Sequence, residues 1–234
     1  MQISNEDNLT TELLYKNRNV SILFSYKNDD EKKQIETDIQ QIIQYVIEDV
    51  DKITPYIDID TKVNIWLGYK NNGPLAMAKA DKYGIITQTI NCFNIDIDSK
   101  YLTVQNHEFG HVIDKVGTRE QLSKKPEFNQ ILKAYKKEYK SHMKTENRPD
   151  LIKDQYRNGG APSEVFAQLC EKWLTEKEDL NLSTLRYPTI QAQFINKFYD
   201  ENKETLERYF DDVVIKDPQL DSSDFNTLKD TLTL

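Results

Sequence analysis

Only three of the 234 residues are histidine, and two of them stand four apart in His107-Glu108-Phe109-Gly110-His111. Val104, Phe109, Val112 and Ile113 give this segment the apolar spacing of a buried helix. On a helix, side chains at i and i+4 lie one turn apart on the same face, so both imidazoles can reach one ion. Zinc accepts neutral imidazole nitrogen at about 2.0 to 2.1 Å, and a catalytic site adds a third protein ligand and leaves the fourth position to water. Glu108 then stands beside that water. Its carboxylate can take a proton from water whose pKa the metal lowers to roughly 7, and can later hand it to a departing amine. The competing reading, surface residues in accidental register, must draw the motif from a chain with almost no histidine.

A third ligand has to come from elsewhere. Gly117 stands where a further histidine at short fixed distance would be, and the remaining histidine, His142, lies in the polar stretch Lys140-Ser141-His142-Met143-Lys144. Glu164 is the better candidate: Gly159-Gly160-Ala161-Pro162-Ser163 forms a loop ending in a helix cap, which puts Glu164 in the first turn of the next helix. Acidic residues there also offset the helix dipole, so the pattern leaves both roles open.

The elements that must carry these residues change character near the middle of the chain. Asn19 to Tyr26, Thr61 to Tyr69, Gly84 to Ile90 and Cys92 to Ile97 read as strands from their β-branched and aromatic content. Between the first two, Ile35, Ile39, Ile42, Ile43, Val46, Ile47 and Val50 form one helical stripe that ends before Pro55. From Tyr101 to Val116 the pattern is helical. Further helices are marked by Phe128, Ile131, Leu132, Tyr135 and Tyr139, by Phe166, Leu169, Cys170, Trp173 and Leu174, and by Leu206, Tyr209, Phe210 and Val213. The expectation is one α+β domain over 1–234, with a strand-rich half (1–100), a mainly helical half (101–216) and a loosely attached tail (217–234).

Composition narrows the function classes. Hydrophobic residues make up 38% and the chain holds 13 Tyr and 9 Phe, enough for a real core. A formal net charge of -8 without a basic block argues against nucleic acid as a partner. Two cysteines, Cys92 and Cys170, are too few for a disulfide framework and read as buried thiols. No apolar run spans a bilayer, and residues 1–11 lack the basic and apolar regions of a secretory signal. A soluble monomer is expected, cytoplasmic or exported by another route, or secreted with its leader already removed.

His107 to Asp114, reading H-E-F-G-H-V-I-D, followed by Glu164-Val165-Phe166-Ala167 on a later helix, resembles the catalytic domain of the anthrax lethal factor family and the related bacterial Pro-Pro endopeptidases. The likeness runs from about Tyr101 to Tyr199. Upstream only the order of elements is similar, the general zincin plan of a small mixed sheet before an active-site helix. The resemblance implies a zinc endopeptidase acting on a peptide or protein, with a toxin or effector among the roles it suggests, and one ion held by His107, His111 and Glu164. It also implies a tyrosine ahead of that glutamate facing the oxyanion, and Tyr156 fits, one residue off the lethal factor spacing. Gln168 stands where the family often carries a glutamate that supports the metal ligands; its carbonyl can still accept a ring N-H of a zinc histidine, and Asp114 and Glu171 are further candidates for that support. A peptide would lie extended beside the strand Gly84 to Ile90. Two other classes compete: a zincin-shaped binding module without turnover, which has no need of Glu108, and a structural zinc site, which favours cysteine-rich ligands.

Overall fold

Val20, Ile22, Phe24 and Tyr26 are buried, while Ser21 and Leu23 between them are half-buried; the same alternation in Val63, Ile65 and Leu67 makes two strands that share a core face. The structure is a computed structural model that describes residues 10–17, 20–30, 32–33, 48, 50, 52, 54–56, 62–68, 76–80, 85–90, 100–114, 121–154, 162–178 and 189–212. Its strands are β1 (Thr10–Lys16), β2 (Val20–Tyr26), β3 (Lys62–Gly68), β4 (Ala76–Ala80) and β5 (Ile85–Ile90). They form one mixed sheet in the order β1-β2-β3-β5-β4. β2, β3 and β5 run parallel, and each edge strand is antiparallel to its neighbour.

Three of the expected strands are therefore present, and Cys92 to Ile97 lies outside the described residues. The edge strands β1 and β4 were not foreseen. β4 reads Ala-Met-Ala-Lys-Ala, a composition poor in strand formers that pairing with β5 overrides. This pairing also corrects the expected peptide-binding edge. Ile85–Ile90 is an interior strand, hydrogen-bonded to β3 on one side and β4 on the other, so among the described residues the edge on that side of the sheet belongs to β4.

The helices follow as α1 (Lys100–Asp114), α2 (Pro126–Thr145), α3 (Pro149–Asp154), α4 (Pro162–Glu178), α5 (Thr189–Glu201) and α6 (Lys203–Phe210). Of the earlier helical stripe, residues 29, 30, 32, 33, 48, 50 and 52 are helical at its two ends, and its middle lies outside the described residues. The tail 217–234 lies outside them as well. α5 was overlooked although Ile190, Phe194, Phe198 and Tyr199 recur at helical spacing. The protein is thus α+β, and a single cluster of buried side chains runs from β2 and β3 through α1, α2 and α4 to α6. Cys170 is a free, buried thiol within it; Cys92 lies outside the described residues. No helix among the described residues is long and apolar enough to cross a membrane.

α2 buries Phe128, Ile131, Leu132, Tyr135, Tyr139 and Met143 along one stripe. It stops where Asn147 takes a left-handed conformation (φ 53°) and Arg148 N-H reaches back to Met143 C=O at 2.8 Å. α1 packs both against β4 and β5 and along α4, so it joins the sheet to the helical half. Its C-terminal end is tied down by Asp114. This buried carboxylate accepts the Ser123 backbone N-H (2.6 Å), the Ser123 hydroxyl (2.9 Å) and the Gln121 amide (2.7 Å) from the turn after the helix. Asp114 therefore secures the chain rather than the histidines. Replacing it strands three donors, one of them a buried backbone N-H, so Asp114→Ala should lower the unfolding free energy in urea by about 3 kcal/mol.

Candidate metal centre

α1 presents His107 and His111 toward α4, and the two helices touch at their smallest residues. A Cβ placed on Gly110 would stand 2.8 Å from both Cα and the carbonyl oxygen of Ala167, closer than packed atoms allow. With no side chain at Gly110, the α1 backbone lies directly on that of α4. Ala167 is one turn along α4 from Glu164, and Gly110 lies between the two histidines, so this contact sets the distance between both imidazoles and the carboxylate.

Both imidazoles are buried, His107 fully and His111 to 7% exposure, with their rings edge to face at a centroid distance of 4.7 Å. Glu164 reaches them from the first turn of α4. Its Oε2 lies 3.4 Å from His107 Nε2 and its Oε1 lies 3.2 Å from His111 Nε2. One ligand atom from each of the three residues falls within 4.8 Å of the others. Atoms bound tetrahedrally to one ion at about 2.1 Å stand about 3.4 Å apart. The donor set, two neutral imidazoles and a carboxylate, also suits zinc, so these residues fit such an ion. Burial opposes ionisation of Glu164, but hydrogen bonds from His107 and His111 overcome it and hold the carboxyl well below the usual carboxylate range.

The other ring nitrogens face α4 too. His111 Nδ1 lies 3.1 Å from Ser163 Oγ, and His107 Nδ1 lies 3.4 Å from Glu171 Oε2. Gln168, expected as a ring acceptor, instead takes the Tyr135 hydroxyl on its Oε1 at 2.9 Å and so links α4 to α2. Gln168 and Glu171 stand three positions apart, about 60° around the helix, and Gln168 meets Tyr135 of α2 while Glu171 meets His107 of α1. Ser163, which the sequence offers only as a helix cap, thus also meets a histidine ring.

Glu108 follows His107 on α1 and is 2% exposed. Tyr156, the expected oxyanion partner, lies outside the described residues. His142 is not part of the cluster: it sits on α2 with its ring 5.5 Å from that of Phe194. Comparison of the chain with protein-family models, curated proteins and solved structures finds no match.

The Gly110 contact yields a test with a defined sign. In a solvent-facing helix Gly→Ala stabilises by about 1 kcal/mol through propensity. At Gly110 the added methyl meets backbone, which cannot swing aside, so overpacking of about 1 to 3 kcal/mol should win. Gly110→Ala should therefore lower the melting temperature and weaken zinc binding together, read by calorimetry and chelator competition.

Proposed function

We propose that this protein is a zinc-dependent endopeptidase of the lethal factor-like, zincin type, with His107, His111 and Glu164 as metal ligands. The observation that carries the reading is the meeting of an H-E-x-x-H helix with a carboxylate from a separate helix, their ligand atoms within 4.8 Å. A structural zinc site would use four protein ligands; the three that meet among the described residues leave a position open. A zinc ion there supplies a Lewis acid that activates water and polarises a peptide carbonyl.

The chain's own residues do the rest. Glu108, next to His107 on the same helix, accepts a proton from the attacking water and returns it to the leaving nitrogen as the peptide bond breaks. Tyr156 donates its hydroxyl to the oxyanion that develops on the attacked carbonyl. The substrate is an extended peptide that adds to the edge of β4, the strand that ends the sheet among the described residues and packs against α1. Backbone hydrogen bonds to that edge hold the peptide in extended form.

Peptide-library cleavage with a mass-spectrometric readout tests the activity. Chelation should abolish cleavage and added zinc restore it. Glu108→Gln should lower kcat by about 10² to 10⁴ while zinc content stays at wild type. Wild-type turnover in that variant would remove Glu108 from the mechanism. Tyr156→Phe should lower kcat by about 10² to 10³ with little change in KM, as expected of a donor that acts in the transition state.

A further inference from the structure

We propose that Glu171 is a positioning residue for the metal site, fixing the ring of His107 through Nδ1 in the place where Gln168 would be expected to act. The inference rests on the metal-site reading above and adds to it which residue orients a ligand.

The two nitrogens of His107 face different acids. Nε2 points to Glu164 at 3.4 Å, and Nδ1 points to Glu171 at 3.4 Å. An imidazole that gives Nε2 to a metal keeps its proton on Nδ1, and a carboxylate facing that proton selects this tautomer and makes the ring a stronger donor. Glu171 is placed for it. Its side chain is 7% exposed, against 32% for Glu164, and a carboxylate buried to that depth persists only where a donor meets it. It stands seven residues, two helical turns, beyond Glu164, so one face of α4 presents both the ligand and the acid behind the other ligand's ring.

The two neighbouring candidates are engaged elsewhere. Gln168 Oε1 accepts the Tyr135 hydroxyl, and both oxygens of Asp114 accept from Gln121 and Ser123. The two histidines also differ in kind. His111 Nδ1 meets a hydroxyl, Ser163 Oγ at 3.1 Å, so the carboxylate support falls on His107 alone among these described contacts.

The test measures zinc affinity by chelator competition in wild type, Glu171→Gln, Glu171→Ala, Gln168→Ala and His107→Ala, with the melting temperature of each metal-free protein. Loss of an outer partner of a zinc histidine costs about 10- to 100-fold in affinity. Glu171→Gln, which keeps size but removes charge, should weaken zinc about 10-fold, and Glu171→Ala up to about 100-fold. Gln168→Ala should lose thermal stability while holding zinc within about twofold of wild type. The visible spectrum of the cobalt-substituted protein should shift in Glu171→Gln and not in Gln168→Ala. If wild type binds zinc and His107→Ala does not, yet Glu171→Gln binds and absorbs as wild type, this assignment is overturned and the metal site stands. Equal weakening in Gln168→Ala also overturns it, because the loss then follows helix packing. A wild type that binds no zinc overturns the metal site and this assignment together.

Discussion

The architecture turns on the contact of two helix backbones at Gly110 and Ala167. Helices that meet through large side chains stand 8 to 10 Å apart, and the size of the residues at the contact decides where in that range they fall. Here a missing Cβ lets α1 rest on the α4 main chain. A carboxylate with a short stem can then touch two imidazoles on the facing helix. The glycine inside the histidine motif thus has a steric role distinct from the chemistry of its neighbours, and it costs the helix some intrinsic propensity to serve it.

That contact needs support from both sides, because the pair it joins carries buried polar groups. His107, Glu108, His111, Asp114, Gln168 and Glu171 are all buried where α1 and α4 meet or just beside it. Buried polar groups destabilise a fold unless they are met, and most of these are met by one another or by adjacent turns. Asp114 gathers the turn that follows α1, and Tyr135 brings α2 onto α4 through Gln168. On the far side of α4 the partners are apolar: Phe128 and Phe210 pack edge-on against Phe166, and Trp173 stacks on Phe210. One helix is therefore polar toward α1, aromatic toward α6, and meets α2 through both Gln168 and Phe166. This division explains why α4 is buried along nearly its whole length yet can still carry acids.

The sheet contributes by its order. With β5 placed between β3 and β4, the strand next in line to α1 is a short edge strand rather than a member of the parallel core. Among the described residues β4 ends the sheet, and this edge strand packs against the helix that carries the two histidines.

Local pattern sufficed for much of this. The strands β2 and β3 and the helices α1, α2, α4 and α6 are legible because each buries a face at its own period, β5 is legible from its β-branched content, and His107, Glu108 and His111 are legible because one turn of helix defines their geometry. Everything that depends on two segments meeting was open in the sequence. Glu164 could have been a ligand or a dipole partner, and to back a histidine the resemblance pointed to Gln168 with Asp114 and Glu171 as unranked alternatives, because all sit on helical faces whose rotation only packing decides. β1 and β4 depend on pairing in the same way: an edge strand has one neighbour, and neither Thr10–Lys16 nor the short, alanine-rich Ala76–Ala80 reads as a strand until that neighbour is present. What the amino-acid order determined by itself was the chemistry available and the segments that carry it. Which acid faces which nitrogen was decided by the tertiary structure, since that choice depends on how closely α1 and α4 approach.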